Sequence, residues 1–475
     1  MADPSAAAHV LVLMYPTQGH INPMLQFSKN LVSYSKDVKV SLITALISEK
    51  CFSTSNKNIN VVILDDEDGT NKAPPKGVDE LVGMFKSIMD QKLTDFINKQ
   101  KQVMRSHDHN NTPKMILVYD SSMPWADHFA KQSDLLSAAF FTQSCSVTAL
   151  YYHFKNGNLN IPPTPTDHLC LPNLPPFLIN DLPSFIVKKG TFPLLTTLMA
   201  DQSDNFGKAD WILFNTFDAL EPEEVKWTSS KCVVKTIGPT IPSRYLGMKV
   251  ENEDENDMNH YGFNLYEPKT DTCIKWLNGM EEGSVVYVSF GSMASLSKEQ
   301  MEELGYGLMN SKCHFLWVVR SGEEEANIPS WFKEKSCDHQ GQIVSWCPQL
   351  AVLAHKAVGC FVTHCGWNST MEAISSGVPM VAMPQWSDQM TNAKYIEDVW
   401  GVGVRAEFDD IRGVFTRQEI ETCVNKVMKI NKDDDDQCNN YRKNALELKK
   451  LAMESVREGG TSYNNIQDFI SRLLN

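Results

Sequence analysis

Between Thr363 and Pro379 the chain reads THCGWNSTMEAISSGVP, which places His364, Gly366, Trp367, Asn368, Ser369 and Glu372 between two apolar runs. With a strand ending at Thr363 and a helix over 369–376, the helix start offers exposed backbone N–H groups, a close-approach glycine and small polar side chains. That combination is an anion site suited to phosphate. His364 adds a donor whose charge is set near neutral pH. A second strand end, FGSMAS at 290–295, could bring Gly291 and Ser292 to the same anion. Glu372 lies three residues past Ser369 on the same helical face. A carboxylate there does not ligate phosphate, but it accepts from the two hydroxyls of a ribose. Trp346 follows a short strand, and a flat indole is a stacking platform for a base. Asp388 and Gln389, after MVAMPQWS, put a carboxylate and an amide at a helix start, a pairing that suits sugar hydroxyls. Base, ribose, diphosphate and sugar thus follow from the order of residue types. Singly, Trp346 also reads as core, Glu372 as a capping-box acid and Asp388 as an N-cap; their joint arrangement after successive strands favours a nucleotide-sugar site.

A second constellation lies in the first 122 residues. The run HVLVLMY ends in PTQGH, placing His20 beside Gly19 at a strand-to-helix turn. The run MILVY ends in Asp120, followed by Ser121 and Ser122. Read alone, His20 fits a helix N-cap with a local hydrogen bond. In a parallel sheet, however, both side chains emerge at the same carboxyl edge, and a neutral imidazole paired with a carboxylate is a general base.

Other phosphate and metal chemistries are poorly supported. No GxxxxGK[ST] occurs, and no GxGxxG follows a strand, which argues against a P-loop or a dinucleotide fold. Asp66 and Asp68, in VVILDDED, reproduce the Asp-x-Asp of a metal-dependent glycosyltransferase and could ligate Mg²⁺ or Mn²⁺. Nothing around them supplies a nucleotide site.

These residues need elements to hold them at strand ends. Apolar runs at 9–15, 38–44, 61–64, 115–119, 138–142 and 211–215 read as strands, with helices at 23–34, 82–101 and 124–132 between them. After a Pro-, Gly- and acid-rich connection at 237–262, the rhythm restarts with strands at 285–290, 315–319, 342–345, 360–363 and 380–383. Helices are expected at 298–310, 349–355, 369–376, 388–398 and 417–430, and the amphipathic tail 441–474 should be helical. Short continuous apolar strands separated by helices imply parallel sheets covered on both faces. The fold class is α/β: two doubly wound Rossmann-like domains facing across a cleft. Expected boundaries are 1–240, a 241–262 linker and 263–455, with the helix over 456–475 returning to the first domain.

A length of 475 residues suits two cores, and a net charge of −14 without a basic block disfavours nucleic acid or an anionic membrane as partner. The first twenty residues lack a basic region and a spanning apolar run, so neither a signal peptide nor a membrane span is expected. Twelve scattered cysteines without metal spacing read as reduced thiols of a cytoplasmic protein. A monomer is expected.

The 44 residues from Trp346 to Gln389, ending in WSDQ and enclosing HCGWNS, resemble the signature box of plant family 1 UDP-dependent glycosyltransferases. TQGHINPMLQ at 17–26, YDSSMPW at 119–125, FFTQS at 140–144 and FGSMA at 290–294 extend the resemblance over essentially the whole chain. The group it is most similar to glycosylates triterpenoid and steroid alcohols, phenols and small carboxylic acids. The resemblance implies GT-B architecture and an inverting transfer from UDP-glucose without cofactor or metal. It implies that Trp346 stacks on uracil, that the Cys347 backbone reads the base edge, and that Gln349 lies near the ribose held by Glu372. His364, Asn368, Ser369 and Ser292 would bind the diphosphate, with Gly19, Gly291 and Gly366 contributing backbone. Trp367, Asp388, Gln389 and Thr142 would hold the sugar, and Gln389 goes with glucose. Cys347 stands where many relatives carry Ala, a change that a backbone contact survives. His20 would take the proton of the acceptor and Asp120 support it. An apolar acceptor pocket is expected around Met84, Ile88, Phe185, Phe192 and Trp386; Phe85, Met123, Phe141 and the stretch 182–198 are further candidates, and Phe185 and Phe192, standing among Pro and Gly, read equally well as core.

Overall fold

The computed structural model describes residues 7–54, 56–65, 77–105, 114–159, 166–188, 193–248, 261–329, 331–332, 340–428 and 436–475. The expected metal pair Asp66 and Asp68, the acceptor candidate Phe192 and most of the 241–262 connection lie outside them.

The first sheet is built from β1 (Ala8–Leu13), β2 (Val38–Thr44), β3 (Ile59–Ile63), β4 (Lys114–Asp120), β5 (Leu136–Phe141), β6 (Trp211–Phe214) and β7 (Val234–Thr236). Its order is β3-β2-β1-β4-β5-β6-β7, and every pair is parallel. The six residues of β1, AHVLVL, are all buried, as a strand covered on both faces requires. Helix α1 (Gln18–Tyr34) contributes to one face through Met24, Phe27 and Leu31, while α2 (Val78–Arg105) packs Phe85, Met89 and Leu93 on the other.

The second sheet contains β8 (Val285–Ser289), β9 (His314–Val318), β10 (Gly341–Val344), β11 (Val358–Thr363), β12 (Met380–Ala382) and β13 (Gly403–Arg405). Its order, β10-β9-β8-β11-β12-β13, is again wholly parallel. Helix α3 (Trp367–Ser376) follows β11. The tail forms α4 (Asp436–Val456), which lies against α3, and α5 (Thr461–Leu474). Between them Gly460 comes so close to the carbonyl of Glu454 that a Cβ would sit 2.2 Å from it. That break turns α5 onto the first sheet, where Ile466, Phe469, Ile470 and Leu473 complete its core beside Phe27 and Trp211.

Three differences from the expected elements have physical reasons. Helix α1 starts at Gln18, with Thr17 as N-cap, rather than at Pro23. Pro23 is the sixth residue of the helix, past the N–H groups that lack a helical partner, so it forgoes one bond, to the Gly19 carbonyl, without ending the helix; it marks no boundary, and His20 lies inside the helix. β7 and β13 were not expected: three residues each, with Lys235 and Thr236 or Gly403 and Arg405, they give no apolar run. The expected 388–398 helix runs as α-helix over Gln389–Lys394 and continues as a π-turn over Tyr395–Val399.

Candidate active site

In an open parallel sheet, ligands bind beyond the carboxyl ends of strands where the order reverses direction. In the first sheet that point lies between β1 and β4, and in the second between β8 and β11. The two switch points face one cavity of about 450 Å³, which both domains line. Cavities of this order hold small organic ligands.

Residues following β1 and β5 form its first wall, with the end of β4 behind them. His20 reaches the cavity from the first turn of α1, with its side chain 30% exposed, whereas Asp120 at the end of β4 is fully buried behind it. His20 Nδ1 lies 2.6 Å from Asp120 Oδ2, and Thr142 Oγ1, just past β5, is 3.1 Å from the same nitrogen. The Ser122 amide donates to Asp120 Oδ1 at 2.9 Å, as does the Ser122 hydroxyl, so both carboxylate oxygens are engaged. A proton on Nδ1 directed at the carboxylate leaves Nε2 as the basic atom. Burial alone lowers the imidazole, but the charge and hydrogen bond of Asp120, with a further contribution from Asp388 across the cavity, raise it above the usual histidine value.

The opposite wall follows β8 and β11. Gly366 is the N-cap of α3, so the amides of the first turn point into the cavity. His364 is held between two glycines: a Cβ on Gly291 (φ +73°) would lie 2.8 Å from its Cε1, and one on Gly366 would lie 2.5 Å from its Nε2. Burial lowers His364 to about 4, so it is a neutral donor at physiological pH rather than one titrating there as expected. Arg320 fixes the loop after β8 by donating to the carbonyls of Ser292 and Ala294. Deeper in, Gln349 Nε2 donates to Glu372 Oε2 at 2.7 Å and to Ser369 Oγ at 2.9 Å, while its oxygen accepts from the Tyr287 hydroxyl at 3.1 Å. Burial pushes the Glu372 carboxyl up to about 7 against that hydrogen bond.

Beyond β12 the loop turns at Ser387, a non-glycine residue with φ of +63°. Gln389 Oε1 accepts from the amides of Gln385 and Trp386, which leaves its amide nitrogen for a ligand. Asp388 is raised above the ordinary carboxylate value by burial, opposed by the bond from Asn392 Nδ2 at 2.8 Å. The same Asn392 group donates to the Cys365 carbonyl at 2.9 Å, tying this loop to the start of α3.

The cavity brings together His20, Gly19, Thr142, Gly291, Ser292, Trp346, Cys347, Gln349, His364, Gly366, Trp367, Asn368, Ser369, Glu372, Asp388 and Gln389, and also Phe185 and Trp386. Two sequence expectations are corrected. Ile88 is buried in the core under α2, and Met84 is not among the lining residues; the inward face of α2 is committed to the sheet, as it is for Phe85. Met123 and Phe141 likewise belong to that core. The apolar part of the cavity wall comes from Leu195 and Leu198, inside the expected 182–198 stretch, and from Met199, Gln202 and Tyr15 beyond it. The Trp367 indole N–H donates to the Asn215 carbonyl at 2.8 Å and so is not free for a sugar. Sequence reasoning missed Tyr245 and Tyr261, which line the cavity from within the connection, and Arg320. An arginine two residues past the end of β9 was the one available signal.

Residues 263–455 match the model of a family described as UDP-glucoronosyl and UDP-glucosyl transferase. The chain is 42% identical to UDP glycosyltransferase 9 of Catharanthus roseus, over 98% of this chain and 97% of that one. It is 41% identical to mogroside I-E synthase of Siraitia grosvenorii, over 98% of each. The crystal structure of Os79 from O. sativa in complex with UDP superposes with a TM-score of 0.86 at 36% identity, covering 98% of this chain and 100% of the other. Two parallel-sheet domains facing one cleft give the GT-B architecture.

Proposed function

The chain belongs to the UDP-glucoronosyl and UDP-glucosyl transferase family, and from that premise we propose an inverting O-glucosyltransferase that moves glucose from UDP-glucose to a hydroxyl or carboxyl of a small hydrophobic plant metabolite, of the steroid, triterpenoid or phenolic kind. The observation that carries this reading is the position of the His20–Asp120 pair, joined at 2.6 Å, in the same cavity as the helix start at Gly366 and the loop at Asp388. Uracil would stack on Trp346 and the ribose hydroxyls would meet Glu372. The diphosphate would lie on the α3 amides and Ser292, and glucose between Gln389, Asp388 and Thr142.

Chemistry then follows from the walls. His20 Nε2 accepts the proton of the acceptor oxygen as that oxygen bonds to the anomeric carbon, and the carbon–oxygen bond to the diphosphate breaks on the opposite face. Negative charge passes to the diphosphate, where backbone N–H groups and the neutral His364 donor receive it. Positive charge appears on the imidazole, where Asp120 stabilises it. An acceptor wall of Phe185, Leu195, Leu198 and Met199 favours an apolar body, and the similarity to mogroside I-E synthase supports that preference. The reading needs no cofactor and places the protein in the cytoplasm as a monomer. Ten of the cysteines are free thiols, which suits a reducing compartment.

Mixing the protein with UDP-glucose and a panel of steroid and triterpenoid alcohols, phenols and carboxylic acids should release UDP and add one hexose to an acceptor by mass spectrometry. NMR of the product should show the inverted anomer, with full turnover in EDTA. A retained anomeric configuration would overturn the mechanism, and transfer confined to UDP-galactose would overturn the inference from Gln389.

A further inference from the structure

The loop assigned to the sugar is braced from outside its own domain. The Ser184 amide donates to the Ser387 carbonyl at 2.9 Å, and the Ser387 amide donates to Ser184 Oγ at 2.7 Å. Both backbone hydrogen-bonding groups of Ser387, the residue held at φ +63°, are therefore taken by one residue of the first domain. A left-handed conformation at a non-glycine residue persists only where its surroundings over-determine it. Neighbouring residues extend the brace. Asp181, almost wholly buried, pairs with Arg405 Nη1 at 2.6 Å, and its carbonyl accepts from Thr391 Oγ1 at 2.7 Å. The Asn180 carbonyl accepts from Arg405 Nη2 at 2.7 Å. Phe185, next to Ser184, is part of the acceptor wall and meets Trp386 edge-on at 5.7 Å.

We propose that Ser184 is a positioning residue for the sugar end of the donor: by holding Ser387 in its left-handed turn it sets Asp388 and Gln389 against glucose, and by adjoining Phe185 it couples that setting to the acceptor wall. Base and ribose contacts are braced differently, within the second domain, through Gln349, Glu372, Ser369 and Tyr287. Loss of the Ser184 hydroxyl therefore loosens the glucose subsite and leaves the UDP subsite intact. This rests on the donor reading given above.

The test compares wild type, Ser184→Ala and Ser184→Thr, measuring UDP affinity by calorimetry and kcat and KM with UDP-glucose at a saturating acceptor. Ser184→Ala should lower kcat about tenfold, since a lost hydrogen bond here also displaces a reacting group. Its UDP Kd should stay within about twofold, and Ser184→Thr, which keeps the hydroxyl, should recover most of the rate. An unchanged kcat in Ser184→Ala, a UDP affinity that falls in step with the rate, or a threonine variant as slow as the alanine one would each overturn the proposal. A wild-type protein that fails to bind UDP would overturn the donor reading and this proposal with it.

Discussion

A hundred residues separate His20 from Asp120, yet the geometry makes their charges interdependent. With neutral imidazole as the proposed base, transfer should decline as pH falls through the His20 pKa, which Asp120 holds above its usual value against the effect of burial. Asp120→Asn removes that charge, so the acid limb of the kcat/KM profile should move to lower pH while the plateau drops. An acid limb that stays in place would break the link. His20→Ala should lower transfer to a poorly acidic alcohol by at least about 10²-fold and to an acidic phenol by less; equal losses would reassign the base. Glu372, at about 7, titrates where His364, at about 4, does not. In the proposed site a ribose diol needs the carboxylate as acceptor, so the affinity for UDP-glucose, whose diphosphate does not titrate in this range, should weaken as pH drops from 8 to 6, and Glu372→Gln should abolish that dependence in calorimetry. Persistence of the dependence in the variant would assign it elsewhere. At this scale the sequence was readable wherever a polar residue interrupts an apolar run at a strand end, as at Asp120, His364 and Asp388. It misled at Met84 and Ile88, because core and pocket lining use the same side chains, and it narrowed the lining leucines Leu195 and Leu198 only to the stretch 182–198. Ser184, a polar residue at the start of the short helix Ser184–Val187, gave no sign of the strained Ser387 it meets across the cleft.

Among the elements, the helix Cys145–Lys155 shows how a remote carboxylate enters a helix start. Glu221, fully buried, accepts from the amides of Cys145 and Ser146 at 3.2 and 3.1 Å. Burial, then the nearby Glu224, raises it to about 7 despite those amides. A carboxyl held above its unfolded value keeps a proton that the unfolded chain has given up. Its contribution to stability is therefore present below about pH 4.5 and is lost as pH rises to about 7, by a magnitude of roughly 3 kcal/mol. Glu221→Gln retains one acceptor oxygen and cannot ionise. Wild type should accordingly melt above the variant at pH 5, and the gap should close or reverse at pH 8; a gap independent of pH would mean that Glu221 is already ionised at pH 5. This cap lay beyond sequence reading, since its partners are some 75 residues apart. The sheets were legible because buried parallel strands are continuous apolar runs, as in VVYVS of β8. Edge strands β7 and β13 were not, since pairing on one side places less demand on composition, and Pro23 misplaced the start of α1 because a proline near a helix start is compatible with several registers.

At the scale of the molecule the domains are joined by more than a linker. Trp367 and Trp400 donate to the carbonyls of Asn215 and Leu220 at 2.8 and 3.0 Å, and the Tyr395 hydroxyl meets Glu224. Apolar packing continues across them, with Leu150, Tyr151 and Phe217 in one cluster with Trp367, Tyr395 and Trp400. Helix α5, at the end of the chain, fills the core of the first sheet, and Ser462 Oγ donates to the Gly238 carbonyl at 2.6 Å. Neither domain thus buries its apolar surface alone, and the two should unfold together. UDP, although its proposed contacts lie mainly in the second domain, should raise a single calorimetric transition. At a hundredfold excess over its Kd that is about 2.7 kcal/mol, or about 3 °C for a chain of this length. Phe469→Ala, in the helix that covers the first sheet, should lower the same transition, since truncating a buried phenylalanine costs about 3–5 kcal/mol. Two resolved transitions, one moved by UDP and the other by Phe469→Ala, would mean that the contacts across the cleft hold two independently stable domains in place without making them one cooperative unit.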